Sequence, residues 1–267
     1  MPFFDESLNP AESGTLDRVV RRFNGAAYTL AVAALYTIVA VAVALALTPA
    51  VALMQRWGAP LWKAPQWWGV PALALALAVA LLLSGAMLLV VVPLLNAVLP
   101  TRLRPFKGGY FTAAAVPWYL HNGLLYVVRL TVLPFVTLTP ISTWFLRAMG
   151  MRIGRRVHIA TEYFTDVRMI ELGDDSAISG SANLFAHFGG GGHLVIAPVL
   201  IGRRATIGEK ATVMGDVIVG DDAVILAHSV LIPGSRVPPG ERWGGAPARP
   251  IPDVEWAAYK ALVHGPP

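Results

Sequence analysis

The sequence predicts a membrane α plus all-β fold: two transmembrane helices and interfacial helices, then a left-handed parallel β-helix with a short C-terminal helix. Three observations carry this. Aliphatic residues recur at every sixth position: Ile201, Ile207, Val213, Val219, Ile225, Leu231 and Val237. Two long stretches, Tyr28 to Met54 and Trp67 to Leu99, contain no charged residue. Between these parts lies an aromatic segment broken by Pro117, Pro134 and Pro140.

A period of six fits neither the α-helix, with its repeat of about 3.6, nor the simple strand, whose side chains alternate. It fits a chain wound as a triangular prism, with three short flat faces to each coil. The six-spaced residues point to the axis, where a medium-sized aliphatic side chain fills the space without a void. Glycine often follows (Gly202, Gly208, Gly220), and a small or β-branched residue stands four positions on (Ala205, Ala211, Val217, Ala223, Ser229, Ser235). Ile153, Gly154 and Val157 start the pattern. Leu172, Ile178 and Leu184 resume it after a register break.

Five segments follow in order. Residues 1–27 form a leader, polar and disordered over its first fifteen positions. Residues 28–99 form a two-span hairpin, since about 20 apolar residues suffice to cross a bilayer. Its long apolar run and the acids of the leader (Asp5, Glu6, Glu12, Asp17) argue against a cleaved signal peptide. Residues 100–150 form an interfacial helical linker, with Arg129 and Arg147 turned to lipid headgroups. Residues 151–250 form the β-helix. Residues 251–267 form a capping helix and tail.

Composition agrees: 55% of residues are hydrophobic and only 14% charged, unlike an ordinary soluble protein. Arg18, Arg21 and Arg22 precede the first span, and Arg102, Arg104 and Lys107 follow the second. Only Arg56 and Lys63 lie between them. The positive-inside rule then puts both ends, with the β-helix, on the cytoplasmic side of the inner membrane. The net charge of +5 comes from membrane-flanking and scattered repeat-turn residues without a nucleic-acid motif, so no nucleic-acid partner is expected.

A β-helix is a scaffold, so chemistry is sought where its pattern breaks. The longest break lies between Leu184 and Ile201 and reads His187-Phe188, four glycines, then His193. The glycines predict a mobile loop that allows close backbone approach to a ligand. His187 at its start is the candidate general base; His193 on its return and His228 at a repeat turn are candidate substrate contacts. Glu162, Asp166 and Glu171, in the earlier break, are candidates to orient an imidazole or hold an amine acceptor. No metal is expected: His187 and His193 are separated by the glycines, and no third histidine stands one coil earlier.

The repeat, the histidine-bearing loop and the ending Pro238-Pro239-Gly240 with Trp243-Gly244-Gly245-Ala246-Pro247-Ala248 resemble the hexapeptide-repeat acyltransferases. That resemblance implies transfer of an acyl group from a pantetheine thioester to an amine or hydroxyl, with His187 as base. The co-substrate would be a coenzyme A thioester or a carrier protein's phosphopantetheinyl thioester. Arg203, Arg204 and Lys210 would meet its phosphates, and Trp243 its pantetheine or adenine. A further resemblance runs through Thr139-Pro140, Trp144, Leu146-Arg147, Gly150, Ile153-Gly154 and Thr165-Asp166. It is to one unit of the membrane-bound C-terminal region of ε-poly-L-lysine-synthetase-type nonribosomal peptide synthetases. Where that region has Thr-His, this chain has Ala186-His187. The comparison implies a homotrimer in the lipid bilayer, with a carrier protein or synthetase as partner. Two other readings are a non-catalytic trimeric membrane scaffold and a γ-carbonic-anhydrase-like metalloenzyme.

Overall fold

A computed structural model describes residues 15–257. The earlier part of the expected leader, and the C-terminal helix beyond Ala257, lie outside it. Helix α1 runs Thr15–Trp62 and α2 runs Gln66–Val98, packed against each other as a hairpin. Tyr28–Trp62 and Gln66–Val98 are each long and apolar enough to cross a bilayer. Leu75, Leu82 and Leu94 on α2 are among many large apolar side chains exposed along the pair.

The prism that follows has the expected cross-section. Its first face stacks strands Arg152–Ile153, Ile170–Leu172, Val199–Ile201, Val217–Val219 and Arg236–Val237 in parallel. The second stacks His158–Ile159, Ala177–Ile178, Thr206–Ile207, Val224–Ile225 and Arg242–Gly244. The third stacks Phe164–Thr165, Asn183–Phe185, Thr212–Val213 and Val230–Leu231. All seven six-spaced aliphatics are buried, each over its equivalent in the neighbouring coil, as Ile201 lies between Leu172 and Val219. Burying an aliphatic side chain of this size stabilises by roughly 1.5–3 kcal/mol.

The corners explain the glycines. A Cβ on Gly202 would lie 2.5 Å from the Asp221 amide nitrogen, and one on Gly220 as close to that of Pro239. The neighbouring coil's backbone occupies the space. One corner column takes left-handed backbone at Arg156, Asp175, Arg204 and Asp222, and its side chains alternate in charge. Arg156 meets Asp175 and Arg204 meets Asp222, each through paired hydrogen bonds of 2.6 and 2.7 Å.

The first coil is fuller than the sequence indicates. Ile159 and Phe164 take inward positions there, paired with Ile178 and Leu184. Phe164 arrives one position early after Ile159, which breaks the register of six and hides it from a periodicity count.

Strand Phe106–Gly109 leads to α3 (Val116–Thr131), α4 (Leu133–Val136) and α5 (Pro140–Ala148). Helix α3 buries one face, with Leu124, Leu125 and Val128 completely buried against α1 and α2, and leaves Tyr126 and Leu130 exposed on the other. Beyond the prism a short helical turn begins at Asp253.

Candidate active site

Val219 pairs with Ile201 from one regular coil to the next, whereas the coil that carries the chain from Leu172 to its partner Ile201 is much longer. The surplus leaves the prism at the third corner. It forms a hairpin rather than the mobile loop expected. Strand His187–Gly190 pairs antiparallel with His193–Ile196, and Phe106–Gly109 adds a third strand on the outer edge. The turn between them has φ of +57° at Gly191 and +84° at Gly192, the left-handed pair that suits the twist of a tight hairpin. The glycines make a tight turn and a flat strand, not slack.

His187 is held at the hairpin's base. Its Nδ1 lies 2.5 Å from Asp166 Oδ2, with the His187 side chain 23% exposed and that of Asp166 0%. Asp166 is further bound from above. Trp118 Nε1 and Asn122 Nδ2, both on α3, donate to its Oδ1 at 2.6 and 2.8 Å, and Thr165 donates to Oδ2 at 3.2 Å. The Asp166 amide in turn donates to Asn122 Oδ1 at 2.9 Å. Burial alone would raise the carboxyl pKa, but the hydrogen bonds from His187 and Asn122 and the histidine charges outweigh it, and the net shift is downward. An ionised carboxylate only accepts, so Nδ1 carries the proton. Nε2 is then left as a basic nitrogen. Trp118 packs edge-on against the imidazole at 5.2 Å between ring centres, with Phe185 at 5.4 Å.

His187 lines a cavity of about 220 Å³ shared with Tyr126, Arg129, Tyr163, Thr165, Asn183 and Phe185. A larger cavity of about 350 Å³ lies between α5 and the first coil, beside Trp144 and His158. Its arginines are committed elsewhere. Arg147 donates to the Ile153 and Gly154 carbonyls and Arg156 to Asp175. It lacks a paired base, so the smaller cavity is the candidate site.

The sequence candidates separate into three groups. His187 and Asp166 come together: of the two readings for Asp166, orienting an imidazole or holding an amine acceptor, its fully buried carboxylate against His187 Nδ1 fits the first. His193 pairs across the hairpin with Gly190 and sends Nδ1 to the Gly191 carbonyl at 3.3 Å. Glu162 does not line the cavity, and Glu171 is bound to Arg152 at 2.7 Å. The third group occupies other parts of the prism. Arg203 and Arg204 lie at the first corner, with the Arg204 guanidinium taken by Asp222. Lys210 and His228 lie exposed at the second corner. Trp243 stacks over Ile225 at the open end and donates to Glu241 at 2.8 Å, a capping position. Among the described residues no three His, Asp or Glu side chains converge as a metal site.

Sequence reasoning missed Trp118 and Asn122. Their signal was present: one helical turn apart, they share one face of an apolar segment, where unexplained polar groups ask for partners.

A family model described as bacterial transferase hexapeptide (six repeats) matches residues 198–233. No curated protein matches the chain. Among solved structures, a hexapeptide-repeat containing acetyltransferase from Vibrio cholerae aligns at 16% identity and a TM-score of 0.39, over 49% of this chain and 89% of its own. A maltose O-acetyltransferase from Clostridium difficile 630 aligns at 16% identity and a TM-score of 0.42, over 55% and 91%. A serine acetyltransferase from Neisseria gonorrhoeae aligns at 18% identity and a TM-score of 0.37, over 64% and 54%.

Proposed function

We propose that this chain is a membrane-anchored acyltransferase that moves an acyl group from a pantetheine thioester to an amine or hydroxyl, with His187 as general base. The observation that carries the reading is the His187–Asp166 pair facing a cavity. The transferase-type repeat of residues 198–233 supports it.

The acceptor's N–H or O–H lies against His187 Nε2, which takes its proton as the nucleophile adds to the thioester carbonyl. The tetrahedral adduct collapses, the C–S bond breaks, and the thiolate leaves with the proton held on the imidazolium. Asp166 keeps the proton on Nδ1 and stabilises the imidazolium while it exists. General-base assistance of this kind contributes on the order of 10²–10⁴-fold.

Coenzyme A or a carrier arm supplies the thioester. Among the described residues the exposed Arg203 meets no carboxylate through its guanidinium and Lys210 only Glu209 at 4.0 Å, so both suit its phosphates. They lie at other corners of the prism than His187, an arrangement that fits a donor shared between copies of the chain in a homotrimer, with His228 facing a neighbour. The two apolar helices anchor the enzyme in the inner membrane, and the flanking arginines orient the prism to the cytoplasm.

The test is thiol release from acetyl-CoA by the detergent-purified protein across an amine and alcohol panel. His187→Ala is expected to lower acceptor-dependent release by about 10²–10⁴-fold. Asp166→Asn offers an amide donor to Nδ1 and favours the tautomer with Nε2 protonated, so it loses activity on the same order through kcat rather than KM. Release that survives in both variants would refute the assignment of the base. No release with either acetyl-CoA or an acylated carrier protein would favour a scaffold.

A further inference from the structure

The cavity beside His187 holds a charge that acyl transfer does not use. Arg129 on α3 is half-buried, its guanidinium carbon 5.0 Å from the Tyr126 ring centre and 5.2 Å from that of Tyr163. Its Nε is buried without a hydrogen-bond partner. Among the described residues no carboxylate lies within salt-bridge distance of the guanidinium, whereas Arg152, Arg156, Arg204, Arg236 and Arg242 each meet one. Arg168, whose Nε is also buried and unpartnered, lies against Gly150 and does not line this cavity.

A cation partly withdrawn from water without a counter-ion is unfavourable. Two ring faces return only part of that cost. An oxyanion entering the cavity would return the rest, and the planar fork of arginine matches phosphate as it does carboxylate.

The surroundings indicate where that anion comes from. Helix α3 meets the membrane helices closely, with Gly123 against Leu35 and Val132 near Gly85. Leu130, Phe135, Leu138, Ile141 and Trp144 extend an exposed apolar rim from α3 to α5, with Phe135 85% exposed. A volume of about 220 Å³ is below the roughly 300 Å³ of pockets for drug-sized ligands. It admits a head group and leaves acyl chains outside, along the rim.

We propose that Arg129, framed by Tyr126 and Tyr163, anchors the phosphate-type head group of a membrane-lipid acyl acceptor and so sets its amine or hydroxyl against His187. The acceptor's role rests on the acyltransferase reading; the anion site itself does not.

Binding is therefore read separately from turnover. Full-length protein in non-ionic detergent is titrated calorimetrically with dihexanoyl phosphatidic acid, with dihexanoylglycerol as the neutral control. Wild type is expected to prefer the acid at least about tenfold, roughly 1.4 kcal/mol. Arg129→Gln loses that preference and Arg129→Lys keeps part of it. Equal binding of the two lipids by wild type, or an undiminished preference in Arg129→Gln, overturns the proposal. A second arm uses inorganic phosphate alone. Failure of phosphate to compete supports a lipid source, while Arg129-dependent binding of phosphate as tight as that of the lipid overturns it. With lysophosphatidylethanolamine as acceptor, Arg129→Gln raises KM with kcat held. No turnover by wild type counts against the acyltransferase reading alone.

Discussion

A carboxylate with none of its side chain exposed is costly unless every lone pair is answered, and Asp166 receives four side-chain donors. The same packing creates a second buried group of opposite character. His121, on α3 beside Asn122, is completely buried, with Nδ1 2.9 Å from Asn96 Oδ1 and Nε2 without a partner. Burial pushes its pKa down from 6.5 to about 4, the Asp166 charge pulling upward and Arg168 downward. The fold thus prefers neutral His121, so its stabilising contribution is fully present above the ordinary histidine pKa of about 6.5. That contribution is lost as pH falls toward 4, where the unfolded chain binds the extra proton. The whole effect is about 3 kcal/mol. Denaturant unfolding in detergent at neutral pH and again near the lowered pKa should show wild type losing more stability on acidification than His121→Gln. At this scale the sequence singled out His187, since a histidine beside four glycines in a broken repeat stands out. It offered Asp166, with Glu162 and Glu171, to orient an imidazole or hold an acceptor, and could not choose among them, because the two partners of that pair sit on successive coils and nothing local joins them. It missed Asn122 and Trp118 because their partner lies on the far side of α4, α5 and the start of the prism.

The hairpin that carries His187 is fixed by backbone pairing between its two strands and with Phe106–Gly109 along its His193–Ile196 edge. Gly189 shows how little room that leaves: a Cβ there would collide with the His193 carbonyl oxygen and come within 2.8 Å of the Tyr110 hydroxyl. Carbonyls held in a ladder cannot give way as side chains can. Gly189→Val is therefore expected to splay the hairpin and displace His187. Misplacement by about 1 Å costs on the order of 10²-fold in activity, which thiol release would report. Thermal unfolding of the prism, followed by circular dichroism, should stay near wild type. The glycine run was read as slack because composition alone favours that reading. Gly-Gly between two short paired segments is equally a tight-hairpin signal. The deciding partner, Phe106–Gly109, lies upstream of all three linker helices, and its pairing cannot be read from either segment alone.

Across the whole molecule, the two halves meet at α3. The prism was legible almost coil by coil, since its contacts recur at fixed spacing and each buried aliphatic declares its place. The helical half was legible only as apolar length, because a membrane-facing surface and a protein-facing surface look alike in composition. Gly123 is where this matters: it faces Leu35 so closely that a Cβ would lie 2.5 Å from that side chain. Gly123→Leu should push α3 away from α1, overpacking that costs about 1–3 kcal/mol, and lower turnover through Trp118 and Asn122. Addition of Asp166→Asn to it should then cost less than in wild type, which a double-mutant cycle would measure. The shared strand and helix also decide where this chain can be cut and rejoined. Residue 150 ends the helices and looks like the natural seam for grafting the prism onto a foreign anchor. A graft there discards the hairpin's outer strand and two donors to Asp166. The smallest transplantable unit starts at Phe106, and its new host must offer α3 a surface as close-fitting as Leu35.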